Sequence, residues 1–140
     1  MPVRSYDPAQ VTVVFAGIPI EGFADGTFLT AERANPMFNT MVGSDGEGAR
    51  AKSNDTSGSV TLTLMQTSLS NDALSALAAL DETSGDGVGP LLIKDGLGRT
   101  LIQAESAWLE KPANAEFGRE ISNREWVIQS DNLNIFSGGN

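Results

Sequence analysis

The sequence predicts a mainly β fold: an antiparallel β-sandwich or barrel of about seven short strands with one flanking α-helix. Three observations predict it. Apolar and polar residues alternate in short runs, the period of a strand covered on one face. Only one stretch carries helical spacing. Helix and strand signals do not alternate along the chain, as a parallel sheet would require. A length of 140 residues suits a single domain over 1–140, large enough to bury a core without staples.

The elements follow in order. In "VTVVFAG", 11–17, Val11, Val13 and Phe15 alternate with Thr12 and Val14 and give the first strand. "GIPIEGFADGT" is a turn region, because Pro19 removes a ladder donor and Asp25-Gly26 is a tight-turn pair. "TFLTAER", 27–33, resumes as a strand. Residues 41–58, "MVGSDGEGARAKSNDTSG", hold almost no apolar side chain after Val42 and form a long polar loop, longer than compact domains usually tolerate without a binding role. "SVTLTLMQ", 59–66, is the cleanest strand, with Val60, Leu62 and Leu64 on the covered face and Thr61 and Thr63 on the other.

"SLSNDALSALAALDETSG", 68–85, is the helix, with Ser70 as cap, Asp72 near the positive end, and Leu74, Leu77 and Ala78 on its buried side. "GDGVGP", 85–90, resembles a phosphate-binding loop only superficially; it follows a helix, and Pro90 prevents a new one from starting in register, so it is a connector. Residues 89–110 make a hairpin around Lys94 to Gly98. The last two strands are 124–129 and 132–136, with Asp131-Asn132 as a bend or bulge between them, and the tail 137–140 is loose. Trp108 and Trp126 sit in alternating strands and are assigned to the core.

Composition narrows function. The chain has no cysteine and no histidine, which removes disulfides, thiolate zinc sites, cysteine nucleophiles and the usual proton shuttle. Asp45, Glu47 and Asp55 share one stretch but lack the positions of a calcium loop. Glu105 and Glu110 flank Trp108, yet so short and aromatic-poor a chain leaves little room for a sugar cleft. The expectation is a non-enzyme without cofactor or metal. A net charge of −9 opposes binding to a phosphate backbone and points to protein partners. No apolar run reaches the roughly 20 residues of a membrane span, and the N-terminus lacks a secretory core, which makes the Asn54 sequon of little weight.

The run "VGSDGEGARAKSNDTSGSVTLTLMQTSLSNDALSAL", 42–77, with "YDPAQVTVVFAGIPIEGFADGTF" before it, "PLLIKD" after it, and "NREW" and "FSGGN" near the end, resembles the tail tube proteins of contractile-tailed bacteriophages. The resemblance covers nearly the whole chain. Thr56 stands where relatives often carry a basic residue, so any ion pair made there in the family is absent.

The resemblance implies a virion protein, assembled in the host cytoplasm into hexameric rings that stack into a tube. Sheath, tape measure and baseplate proteins are the implied partners, and DNA passes through without specific binding. Residues 41–58, with Asp45, Glu47, Arg50, Lys52 and Asp55, would reach an adjacent subunit or ring, mobile before assembly and ordered after it. Strand parity then nominates Thr30, Glu32, Thr61, Thr63, Glu105, Glu125 and Gln129 for an acidic lumen. A bacteriocin or secretion-type injection tube would share these features, and a monomeric carbohydrate- or protein-binding β-sandwich module is the alternative of another class.

Overall fold

A computed structural model describes residues 3–139. After a single 3-10 turn at Pro8–Gln10, β1 (Val11–Phe15) turns through Ala16 and Gly17 into the two-residue β2 (Ile18–Pro19). Ala16 and Gly17 both adopt positive φ, the geometry of a two-residue hairpin turn. β3 (Leu29–Arg33), β4 (Phe38–Val42), β5 (Gly48–Lys52) and β6 (Gly58–Met65) precede α1 (Ser70–Ser84). β7 (Gly89–Asp95), β8 (Leu101–Leu109), β9 (Asn123–Ser130) and β10 (Asn134–Phe136) complete the chain.

The fold is mainly β and antiparallel, as the sequence indicates. One sheet runs β2-β1-β7-β8-β9-β6-β3, with β10 joined to β8. β4 and β5 form a separate two-stranded sheet. Alternation decides which side is covered: Val60, Leu62 and Leu64 of β6 are fully buried, as are Trp126 and Ile128 of β9 and Val13 and Phe15 of β1. Leu74 and Ala78 bring α1 onto this core, with Leu77 packed against it. The helix stops at Gly85, whose left-handed φ of 75° lets its N–H bond the Asp81 carbonyl.

Several local expectations are corrected. Ser70 does not cap α1: its hydroxyl accepts from Glu21 N–H at 2.9 Å, and the Ser68 hydroxyl accepts from Ser70 N–H instead. Gly89 and Pro90 open β7, as the hairpin over 89–110 expects, so the connector ends before Gly89. The tail is held, because Arg99 N–H bonds Gly139 O at 3.0 Å and the Thr100 hydroxyl bonds Gly138 O; Asn140 lies outside the described residues.

β9 and β10 do not pair with each other. Ser130 faces Ala107 and Asn134 faces Gln103, four residues on along each strand, so both lie in one register against β8. Between them Asp131 to Leu133 turn aside, and Leu133 N–H bonds Thr56 O at 2.9 Å. The bend read at Asp131-Asn132 is therefore an interruption within one strand line.

Candidate functional site

Parity along β6 governs the outer face. Its partners in β3 and β9 place Thr30 beside Thr61, Glu32 beside Ser59, Thr63 beside Glu125, and Ser59 beside Gln129. Trp108 of β8 extends the last row, opposite Gln129. Six of the seven nominated positions, Thr30, Glu32, Thr61, Thr63, Glu125 and Gln129, thus share one face of β3, β6 and β9. Each is exposed or half-buried, while the alternate residues form the core. No basic side chain occupies a position on this face between Thr30 and Gln129; Lys111 borders it beside Thr63 and Glu125.

Glu105 lies on β8, exposed and alternating with the buried Ala104, beside Gln103 rather than among the positions of β3, β6 and β9. The β7–β8 register shifts between Gly89 and Leu91, which adds a residue to β8. Ser106 is exposed next to Glu105 in consequence, and Glu105 lines a hollow with Leu92, Gln103 and Asn134. The same shift corrects the reading of Trp108. Ile102 and Ala104 face the core before the bulge and Ala107 and Leu109 after it, so Trp108 is turned to the outer face and only half-buried. Trp126 alone fills the core, 2% exposed.

Residues 41–58 depart most from the sequence reading. The stretch read as a polar loop contains the end of β4 and all of β5, paired from Phe38–Lys52 to Val42–Gly48. Gly43 to Glu47 close the hairpin: Gly46 N–H bonds Gly43 O at 2.9 Å, Asp45 Oδ1 accepts from Glu47 N–H, and Gly46 takes a φ of 89° that suits glycine. Asp45-Gly46 is the same turn signal as Asp25-Gly26, and it could have found the hairpin. It was obscured because neither flanking strand alternates apolar with polar residues against the core, and every residue from Asn39 to Lys52 is exposed.

Every residue from Asn39 to Lys52 is exposed, so this arm stands clear of the core. Arg50 and Lys52 share its Phe38 face, where the Arg50 guanidinium lies 3.9 Å from the Phe38 ring centroid. Met41, Ala49 and Ala51 occupy the other face. Asp45 and Glu47 sit at the tip. Asp55 lies at the root, bonded to Asn35 and to Ser57 N–H. The Ser57 hydroxyl first, then the Ser57 N–H and the Asn35 amide, hold its carboxyl below the ordinary carboxylate range.

Among the described residues no cluster of three or more metal-ligating side chains occurs, and no helix is long and apolar enough to cross a membrane. The arrangement offers surfaces: a polar sheet face, and a hairpin whose pairing is complete only within itself.

No family model matches the chain. It is 33% identical to structural protein ORF10 of Pseudomonas phage KPP10, over 97% of this chain and 83% of that protein. Among solved structures it is similar to a chain of the anti-feeding prophage cap, the AFP tube terminating cap, with a TM-score of 0.64, 11% identity, and coverage of 98% of this chain and 94% of that one. It is also similar to a chain of the PVC sheath/tube terminator of an extracellular contractile injection system in its extended state, at TM-score 0.56 and 11% identity, covering 98% of each. At such identities the solved structures establish the fold alone.

Proposed function

The chain belongs to the family of the KPP10 phage structural protein, and on that premise we propose that it is a subunit of a contractile tail's tube, assembled as hexameric rings stacked around an acidic channel. The observation that carries this reading is the polar face of β3, β6 and β9, where Glu32, Glu125 and the threonines alternate with the core and no lysine or arginine intervenes. Turned toward a channel, such a face repels a phosphate backbone and lets DNA slide without sticking. The outer edge of β3 supports ring formation, because β6 is its only strand partner among the described residues and an exposed edge invites pairing with another copy.

Sheath, tape measure and baseplate proteins are the partners this role entails, and the virion is its location. A tube that passes no DNA, in a bacteriocin-like or secretion-type device, fits the same surfaces. A second role has its own support: the solved neighbours come from a tube terminating cap and a sheath/tube terminator, so a ring that ends the tube rather than building it fits the same fold.

Electron microscopy of the purified protein and of the particle separates these readings. Tubes of stacked rings support the subunit role, and immunogold labelling along the whole tail does so in the particle. Label confined to one end of the tube assigns the terminal ring. A monomer at all concentrations, absent from particles, removes both.

A further inference from the structure

Strand pairing runs one row of side chains unbroken across the polar face. Glu32 of β3 faces Ser59 of β6, Ser59 faces Gln129 of β9, and Gln129 faces Trp108 of β8. At ordinary strand spacing the row covers about 14 Å from β3 to β8. Its Trp108 end is concave: Trp108 and Gln129 line a hollow of about 340 Å³ together with Ser57, Ser59 and Asp131.

Trp108 stands there because the bulge in β8 turns it outward, half-buried. Ser57, Gly58 and Ser59 pass beside it with small side chains or none, so the ring keeps an uncovered flank. The two indoles differ accordingly. Trp126 Nε1–H is bonded to Asn71, whereas among the described residues the Trp108 Nε1–H, the Gln129 side-chain amide and the Asp131 carboxylate have no hydrogen-bond partner within the chain. No lysine or arginine lines the hollow. A partly buried indole N–H usually finds a partner. An aromatic face beside an unpaired carboxylate is one half of a recognition site for a planar cation, which stacks on the ring while donating to the carboxylate.

We propose that the Trp108 hollow binds an arginine side chain of a partner polypeptide, its guanidinium stacked on the indole and paired with Asp131, while Gln129 and Ser59 accept from its remaining N–H groups. Charge selects this occupant. The chain carries a net −9, Glu32 ends the same row, and no cation on the wall of the hollow competes. A phosphate-bearing ligand meets the opposite field. A neutral sugar stacks on such a ring without using the charge. Arginine is favoured over lysine because its planar fork covers the ring and reaches the carboxylate at once. The site goes beyond the tube reading; within that reading, the partner is a basic polypeptide lying in the channel, attracted by the same acids that repel DNA. One such site is weak, and copies around a ring hold a long segment by avidity while each contact exchanges quickly.

The chain has two tryptophans, so its two indole N–H signals in an NMR spectrum form a paired probe, and Trp108→Phe assigns them. N-acetyl-arginine amide is expected to shift the Trp108 signal saturably and to leave the Trp126 signal, bonded to Asn71, in place. N-acetyl-citrulline amide, of the same shape without the charge, should bind at least about tenfold more weakly, and Asp131→Asn, at an exposed position, should weaken the arginine derivative at least about threefold. A Trp108 signal unmoved by the arginine derivative, one moved equally by citrulline, or an Asp131→Asn protein that binds as the wild type does overturns the proposal. So does a signal that answers only to glucose or only to a short oligothymidylate, which makes the hollow a saccharide or nucleobase site. These outcomes leave the tube reading standing, since microscopy of assembled particles decides that. Arginine binding by a protein that never assembles keeps the site and removes the channel.

Discussion

Trp126 Nε1–H donates to Asn71 Oδ1 at 2.9 Å, tying the largest core residue of β9 to the first turn of α1. The Asn71 amide nitrogen in turn bonds the carbonyls of Met65 and Gln66, so one side chain joins the end of β6, the helix and the core. Asn71→Ala leaves a buried indole N–H without its partner and should cost about 1–3 kcal/mol. Denaturant unfolding followed by Trp126 fluorescence checks this; an unchanged midpoint contradicts it.

Gly58 is a point of close approach. A Cβ there would lie 2.6 Å from Glu32 O and 2.7 Å from Leu133 Cδ2, and the first of these is backbone that cannot move without breaking the β3–β6 pairing. Gly58→Ala is therefore expected to destabilise by about 1–3 kcal/mol through overpacking. Gly48→Ala, with nothing within 4 Å, serves as the control and should change the midpoint little. Equal effects in the two variants would contradict the prediction.

The sequence legibly carried what period and burial control. Val60, Leu62 and Leu64 alternate with threonines because one side of β6 meets the core, and that alternation locates the six outer positions of β3, β6 and β9. Residues whose placement depends on register were not legible. Trp108 follows a bulge at Glu105 and Ser106 that no local pattern announces, and it changed faces. The arm was illegible for another reason: its strands pair outside any core, so hydrophobic alternation, the main strand signal, is missing there. Only Asp45-Gly46 marked it.

Asp55 links pH to the root of the arm. Its carboxyl is held below the ordinary range by Ser57 and then by Asn35. A depressed folded value means that this carboxylate favours the folded arm above the unfolded carboxylate pKa, and that the contribution fades as pH falls through the lowered folded value. NMR titration should show Asp55 titrating below the ordinary aspartate value, and Asn35→Ala should move it upward. An Asp55 that titrates at the ordinary aspartate value contradicts the hydrogen-bond account.

The polar face yields the most demanding prediction. Glu32 and Glu125 are exposed and lie on strands β3 and β9, on either side of β6, where neither side chain fills the core. Replacing both with lysine should leave folding and ring stacking intact, because surface substitutions away from packed features usually stay within about 0.5 kcal/mol. Each copy would change by four units of charge, two acids lost and two bases gained. Around a channel this converts a repelling wall into one that binds phosphates, and transit of DNA should slow most at low salt, with the defect relieved as salt rises. Particles carrying E32K and E125K are expected to form normal tails and eject their genomes slowly at low ionic strength. Normal ejection at every salt concentration removes the face from the channel, and failure to form tails assigns Glu32 and Glu125 to subunit contacts instead.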